Sequence, residues 1–214
     1  MSEITKKCGV LFDLDGVLLD SEGLYSIFWA QMDQDYPTGI DNFADYIKGF
    51  HLNRIMNYFD REEDRQVILA KLLEYEREMR YEFFPGAMAL VRQLRQLGIP
   101  MAIVTSSDHK KMQSLYSQHP EFPTLFDHII TGDMVAKAKP DPYCYLMGAK
   151  LIGIDISDCV VVEDSRNGLL AGRAAGARVI GIATTMSAEA VRPLCDLTVD
   201  TIADLTIELM FNGA

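Results

Sequence analysis

Gly9-Val10-Leu11-Phe12-Asp13-Leu14-Asp15-Gly16-Val17 is a short apolar run that ends in two carboxylates on alternate residues, followed by a glycine. By itself, an Asp-Gly pair between apolar flanks reads equally as the two-residue turn of a β-hairpin. It is not an EF-hand calcium loop, which requires a third acidic or amide ligand before the glycine and a closing Glu. The rest of the chain decides between strand end and hairpin. Further apolar runs, rich in Val and Ile, occupy residues 100–105, 128–131, 159–162 and 177–183. Such runs suit strands buried on both faces, and the segments between them are long enough for the crossovers that parallel pairing requires. Residues 165–176 read as one crossover, with Leu169, Leu170 and Ala174 as its apolar stripe and Gly176 as its stop.

One region breaks this rhythm. Between residues 21 and 84 the periodicity is helical, with Leu24, Ile27, Phe28 and Met32 on one apolar face and Val67, Leu69, Leu72, Leu73 and Tyr75 on another. The second of these helices is expected over 62–82, with Pro85-Gly86 punctuating its exit. The organisation expected is a doubly wound, mostly parallel, Rossmann-like α/β core made of residues 1–20 and 85–214. An all-helical cap over 21–84 is inserted after the first strand.

A chain of 214 residues with 49% apolar and 24% charged side chains can bury a real core and is too apolar to be disordered. The net charge of −11 repels polyanions, which argues against nucleic acid or an anionic membrane as a partner. No apolar run approaches a membrane span, and the polar start leads to the expectation of a cytoplasmic monomer. Cys8, Cys144, Cys159 and Cys195 lie far apart without a C-x-x-C pair, so buried free thiols are expected rather than a zinc site or disulfides.

Four short motifs carry chemistry. Asp13 and Asp15 end the first apolar run, Thr105-Ser106-Ser107 ends the second, and Glu163-Asp164-Ser165 ends the fourth; Lys139-Pro140-Asp141-Pro142 places a cation before a rigid turn. Each has an ordinary alternative, such as a helix N-cap for Thr105, Asp164 or Ser165, or a solvated lysine for Lys139. Three of the four fall at the C-terminal ends of expected parallel strands, the edge at which open α/β sheets bind ligands. Carboxylates gathered there repel by about 4 kcal/mol per contact near 4 Å at an effective dielectric of 20, so a divalent cation is expected among them. Oxygen ligands suit Mg²⁺. A cation and a positioned lysine let a carboxylate nucleophile approach a phosphate, and Asp15 is placed to protonate the leaving oxygen and later to activate water.

The ordered set Asp13-x-Asp15-Gly16, Thr105-Ser106, Lys139-Pro140 and Glu163-Asp164-Ser165 resembles the haloacid dehalogenase-like superfamily, and within it the β-phosphoglucomutase-like branch with a helical cap. The resemblance implies that Asp13 becomes an aspartyl-phosphate and Asp15 is the general acid/base. It implies that Thr105, Ser106 and Lys139 hold the phosphate, and that Mg²⁺ is bound by Asp13, Asp15 through its backbone carbonyl, and Asp164, with Glu163 beside it. The stretch from Lys48 and Gly49 through His51 to Arg54 resembles the family's substrate-specificity loop, which makes Lys48, Gly49 and His51 candidate substrate contacts. The stretch from Thr105 through His119 and Phe126 to Pro142 also resembles nucleoside and sugar phosphatases. Sugar-phosphate mutases of the branch carry a cap histidine and a cap arginine where this chain has Tyr25 and Leu52, with Arg54 two residues on. Hydrolysis of a small phosphorylated metabolite is therefore expected. A phosphomutase is the alternative, and a non-catalytic metabolite-binding regulator a more distant one.

Overall fold

The computed structural model describes residues 8–48, 50 and 52–212. The chain divides into two compact units, one joining the residues before Ser21 to those after Tyr81, the other Ser21–Tyr81. The second unit is helical: α1 (Glu22–Asp35), α2 (Phe43–Tyr46), α3 (Leu52–Met56) and α4 (Glu62–Glu78). Phe28, Trp29, Met32, Phe43, Phe59, Ile68 and Leu72 form a core of its own. α4 stops at Glu78, short of the expected 82, because Met79 turns to extended backbone and both Met79 and Tyr81 are buried.

Among the described residues the first unit has six strands, β1 (Gly9–Phe12), β2 (Met101–Val104), β3 (His128–Ile130), β4 (Cys159–Glu163), β5 (Arg178–Ile182) and β6 (Leu197–Val199), in the order β3-β2-β1-β4-β5-β6. All five pairings are parallel. β1 has a parallel neighbour on each side, Val10 facing Met101 on β2 and Val160 on β4, so the hairpin alternative for residues 13–16 is gone. Five strands coincide with the apolar runs. The sixth, Leu197-Thr198-Val199, escaped notice because it is three half-buried residues between Asp196 and Asp200.

The crossover helices are α5 (Ala87–Gln96), α6 (His109–Gln118), α7 (Tyr143–Leu151) and α8 (Arg166–Ala175), followed by the short α9 (Ala188–Val191) and α10 (Ile207–Asn212). α5 shows the logic: Ala87, Leu90, Val91 and Leu94, at helical spacing, are its buried residues. α8 begins where the Ser165 hydroxyl accepts the Gly168 N–H at 3.1 Å and ends at Gly176, whose φ of 87° is left-handed. The core gathers Leu11, Val104, Ile130, Tyr145, Val161, Leu169 and Val179. Each fully buried aliphatic side chain there contributes about 1.5–3 kcal/mol of transfer free energy. All four cysteines are free, Cys144 and Cys159 buried, and burial pushes the Cys159 thiol up to about 12. Among the described residues no helix is long and apolar enough to cross a membrane.

Candidate active site

The strand order reverses between β1 and β4, and in sheets of this kind the crevice at the carboxyl ends of the strands flanking such a reversal is the ligand site. Asp13 is the first residue past β1, and its N–H donates to Val162 O on β4 at 2.9 Å, which ties the loop to the neighbouring strand. Thr105 follows β2 in the same way, its N–H donating to Ile130 O on β3. Glu163 ends β4 and Asp164 follows it, both buried. Thus Asp13, Thr105, Glu163 and Asp164 stand at one edge because three parallel strands, β1, β2 and β4, deliver them there.

Lys139, on the loop before α7, reaches into this group. Its Nζ donates to Asp13 Oδ1 at 2.6 Å, Glu163 Oε1 at 2.7 Å and Val104 O at 3.0 Å, with its side chain only 6% exposed. Burial alone would lower its pKa, but Asp13 and Glu163 outweigh that and hold it well above the ordinary lysine value. Glu163 anchors the lysine in turn. Oε1 also accepts the Tyr145 hydroxyl at 3.1 Å, while Oε2 accepts the Asp164 and Ser165 N–H groups and the Ser165 hydroxyl. Asp13 has one ammonium neighbour but sits in a buried, acid-rich place; burial pushes its carboxyl up to about 7, against Lys139 pulling down and with Glu163 and Asp15 pushing further up.

Asp15 sits in a turn whose Gly16 has φ 76°. A Cβ on Gly16 would fall 1.9 Å from Asp164 Oδ2, so only glycine lets the β1 loop approach the β4 end this closely. The same holds for Gly168, where a Cβ would meet Glu163 Oε1 at 1.5 Å. Asp15 itself meets residues that follow β2: Lys111 Nζ, from the first turn of α6, at 2.5 Å from Oδ1, and the Ser107 hydroxyl donating to Oδ2 at 2.6 Å. Thr184 and Thr185, just past β5, donate to Gly16 O and Asp164 Oδ2.

Asp13, Glu163 and Asp164 each offer an oxygen within 4.8 Å of the others, all three residues buried. With Lys139 the one ammonium bonded to this trio among the contacts above, the group keeps surplus negative charge, and an oxygen donor set of this kind fits a hard divalent cation. The hydrogen bonds to Glu163 occupy both its oxygens, so Asp13 and Asp164 are the carboxylates best disposed toward such an ion.

Asp13, Asp15, Thr105, Lys139, Glu163 and Asp164 therefore converge on one edge. Ser106 lies in the same loop and is exposed. Lys48 belongs to the helical unit, where it pairs with Asp45 at 2.8 Å; Gly49 and His51 lie outside the described residues. His119 and Phe126 are not at this edge: they belong to an aromatic group with Phe83 and Phe122. Sequence reasoning missed Lys111, Ser107's role, Tyr145, Thr184 and Thr185. Extending the rule of carboxyl strand ends to β5 would have found the two threonines; no comparable signal marked Lys111 or Tyr145.

A family model of haloacid dehalogenase-like hydrolases matches residues 9–176. The chain belongs to this family. Hexitol phosphatase A of Escherichia coli is 31% identical over 96% of both chains. The chloroplastic protein SUPPRESSOR OF QUENCHING 1 of Arabidopsis thaliana is 30% identical over 85% of this chain, which spans only 18% of that longer protein. Among solved structures, a family IA, variant 3 HAD hydrolase from Entamoeba histolytica superposes with a TM-score of 0.81 at 30% identity, covering 95% of this chain and 97% of its own.

Proposed function

We propose that this phosphoric monoester hydrolase acts on a small phosphorylated metabolite, a sugar, polyol or nucleoside monophosphate, through an aspartyl-phosphate on Asp13. The observation that carries the reading is the Asp13–Lys139–Glu163 chain of ion pairs at the sheet edge, with Asp15 close by and held separately. Lys139 neutralises one oxygen of Asp13 and leaves the other for attack. Its buried ammonium is fixed by Glu163 and Val104 O, so it needs no reorganisation when charge develops on a phosphoryl group. Thr105 and Ser106 would hold phosphate oxygens, and the insertion 21–84 would select the substrate.

In the first half-reaction Asp13 attacks phosphorus while Asp15 protonates the departing ester oxygen. In the second, water attacks phosphorus, the bond to Asp13 breaks, Asp13 recovers its carboxylate, and Asp15 takes the proton from water. Asp13 and Asp164, with the backbone carbonyl of Asp15, would hold Mg²⁺, which when bound supplies charge neutralisation at the phosphate. The mutase alternative is disfavoured by the helical unit. Tyr25 donates to Glu76 at 2.9 Å and Leu52 packs on the unit's own core, so neither stands in for the mutase histidine or arginine.

Phosphate release from a panel of hexitol, hexose, pentose and nucleoside monophosphates with Mg²⁺ tests the reading. Multiple turnovers are expected without any bisphosphate activator, and Asp13→Asn should retain less than roughly 1% of the rate while remaining folded. Isomerised sugar phosphate forming much faster than inorganic phosphate would establish the mutase instead.

A further inference from the structure

Lys111 occupies a position that ordinary helix energetics disfavours twice. It is the third residue of α6, within the first turn, where the helix macrodipole opposes a positive charge. It is also only 5% exposed, and a lysine is rarely so deeply placed unless it is paired. Lys110, next to it in the same turn, is exposed. The turn that bears Lys111 is itself fixed, since the Asp108 carboxylate accepts the Lys111 N–H at 2.9 Å.

Those two costs are met by a single destination. Lys111 Nζ lies 2.5 Å from Asp15 Oδ1, and Ser107 Oγ donates to Asp15 Oδ2 at 2.6 Å. Ser107 is steadied by its own N–H, which donates to Thr105 Oγ1 at 3.0 Å. Two donors, one from the loop after β2 and one from the first turn of α6, thus fix both carboxylate oxygens of a residue in the loop after β1. Asp15 nevertheless keeps 18% of its side chain exposed, so it stays open to a reactant. The two aspartates are served by different cations: Lys139 bonds Asp13 and Glu163, whereas Lys111 bonds Asp15.

We propose that Lys111, with Ser107, is a positioning residue that holds both oxygens of the Asp15 carboxylate in place for the water-activating half-reaction. The inference rests on the hydrolase reading given above. p-Nitrophenolate departs without needing a proton, so with p-nitrophenyl phosphate it is the step that takes a proton from water that depends on where Asp15 is held. Loss of Lys111 should therefore slow breakdown of the aspartyl-phosphate more than its formation.

The test is steady-state and acid-quench kinetics with p-nitrophenyl phosphate and Mg²⁺, on wild type, Lys111→Met, Lys111→Arg, Ser107→Ala, Asp15→Asn and the Asp15→Asn/Lys111→Met double variant. For Lys111→Met, kcat should fall roughly 10- to 100-fold. KM should fall with it, so that kcat/KM changes less than about fivefold, and quenched enzyme should carry phosphate on Asp13. Lys111→Arg should restore most of the rate, and Ser107→Ala should move it in the same direction as Lys111→Met but less. In the Asp15→Asn background Lys111→Met should change kcat less than about threefold, because the two act as one unit.

An unchanged kcat in folded Lys111→Met would overturn the proposal. A raised KM at constant kcat would do so too, by making Lys111 a substrate contact, as would a full effect persisting without Asp15. Should Lys111→Met fail to fold, Ser107→Ala and Lys111→Arg carry the test: loss of the phosphoenzyme signature in the former together with an inert latter refutes it. A wild type that releases no phosphate, by contrast, removes the hydrolase reading and this inference together, and that outcome is visible in the wild-type arm alone.

Discussion

Glu163 is fully buried, yet both its oxygens are occupied, by Lys139, Tyr145, and the backbone and hydroxyl donors of residues 164 and 165. Glu163→Gln keeps the shape but turns an amide NH₂ toward donors whichever way the group is oriented. It should cost about 3 kcal/mol, as breaking one side of a buried ion pair does. A urea midpoint equal to wild type would show that Glu163 is not the anchor of Lys139. Gly16 raises a second question at this scale, since its missing Cβ is what lets Asp164 approach. Asp164→Ala and Gly16→Ala should each raise the Mg²⁺ concentration for half-maximal activity at least about tenfold. Superimposable metal titrations would return Asp164 to a purely structural role. The placement of Asp13 and Asp164 was legible in the sequence because short motifs ending apolar runs announce a strand's carboxyl edge; Lys139, on a loop, was legible only as part of the ordered set of motifs. Lys111 was not, because its significance lies in a contact with Asp15 across two loops that no local pattern encodes.

The joint between β2 and β3 depends on one carboxylate. Asp127, just before β3, accepts the Met101 N–H at 2.8 Å and Arg95 Nη1 at 2.7 Å, and its own N–H donates to Met101 O. Burial alone would raise its carboxyl, but the Met101 N–H and Arg95 outweigh this and hold it below the usual carboxylate range. A folded-state pKa below the unfolded value means that the contribution is complete above the unfolded pKa, near 4, and is lost as pH falls through the folded one. Arg95 is half exposed, so solvent screens the ion pair and the hydrogen bond to β2 carries most of the effect. Asp127→Asn should therefore destabilise by about 1 kcal/mol at pH 7, and the gap between variant and wild type should close below pH 4. Urea midpoints compared at pH 7 and pH 3 measure this, and a gap that widens in acid reverses the sign argued here. The strands themselves were readable where Val and Ile run unbroken, as in β4. β6 was not, since a three-residue edge strand has too little apolar length to separate it from a loop.

Two separate cores give the molecule two reporters. Trp29 is the chain's single tryptophan, and it packs against Phe28 and Phe59 inside the helical unit. Ile68, fully buried in the same cluster, should cost that unit about 2–5 kcal/mol when cut to Ala. The Trp29 fluorescence transition should move to lower urea, while the ion pairs around Lys139, anchored in the other unit, remain. A Trp29 transition at the wild-type urea concentration would mean that the cluster relaxes into the vacancy.

β1 lies at the centre of the sheet although it is the first strand in the chain, and this has a consequence for how the protein is made. Its partners on either side are Met101–Val104 and Cys159–Glu163, so a growing polypeptide exposes Asp13 long before either neighbour exists. At 5–20 residues per second the ribosome needs roughly 8–30 s between the emergence of β1 and that of β4. Pairing at such sequence distance is also intrinsically slow. Asp13 and Lys139 consequently meet only when most of the chain has been translated, and a prematurely terminated product carries the Asp13 motif without the ammonium that pairs with it.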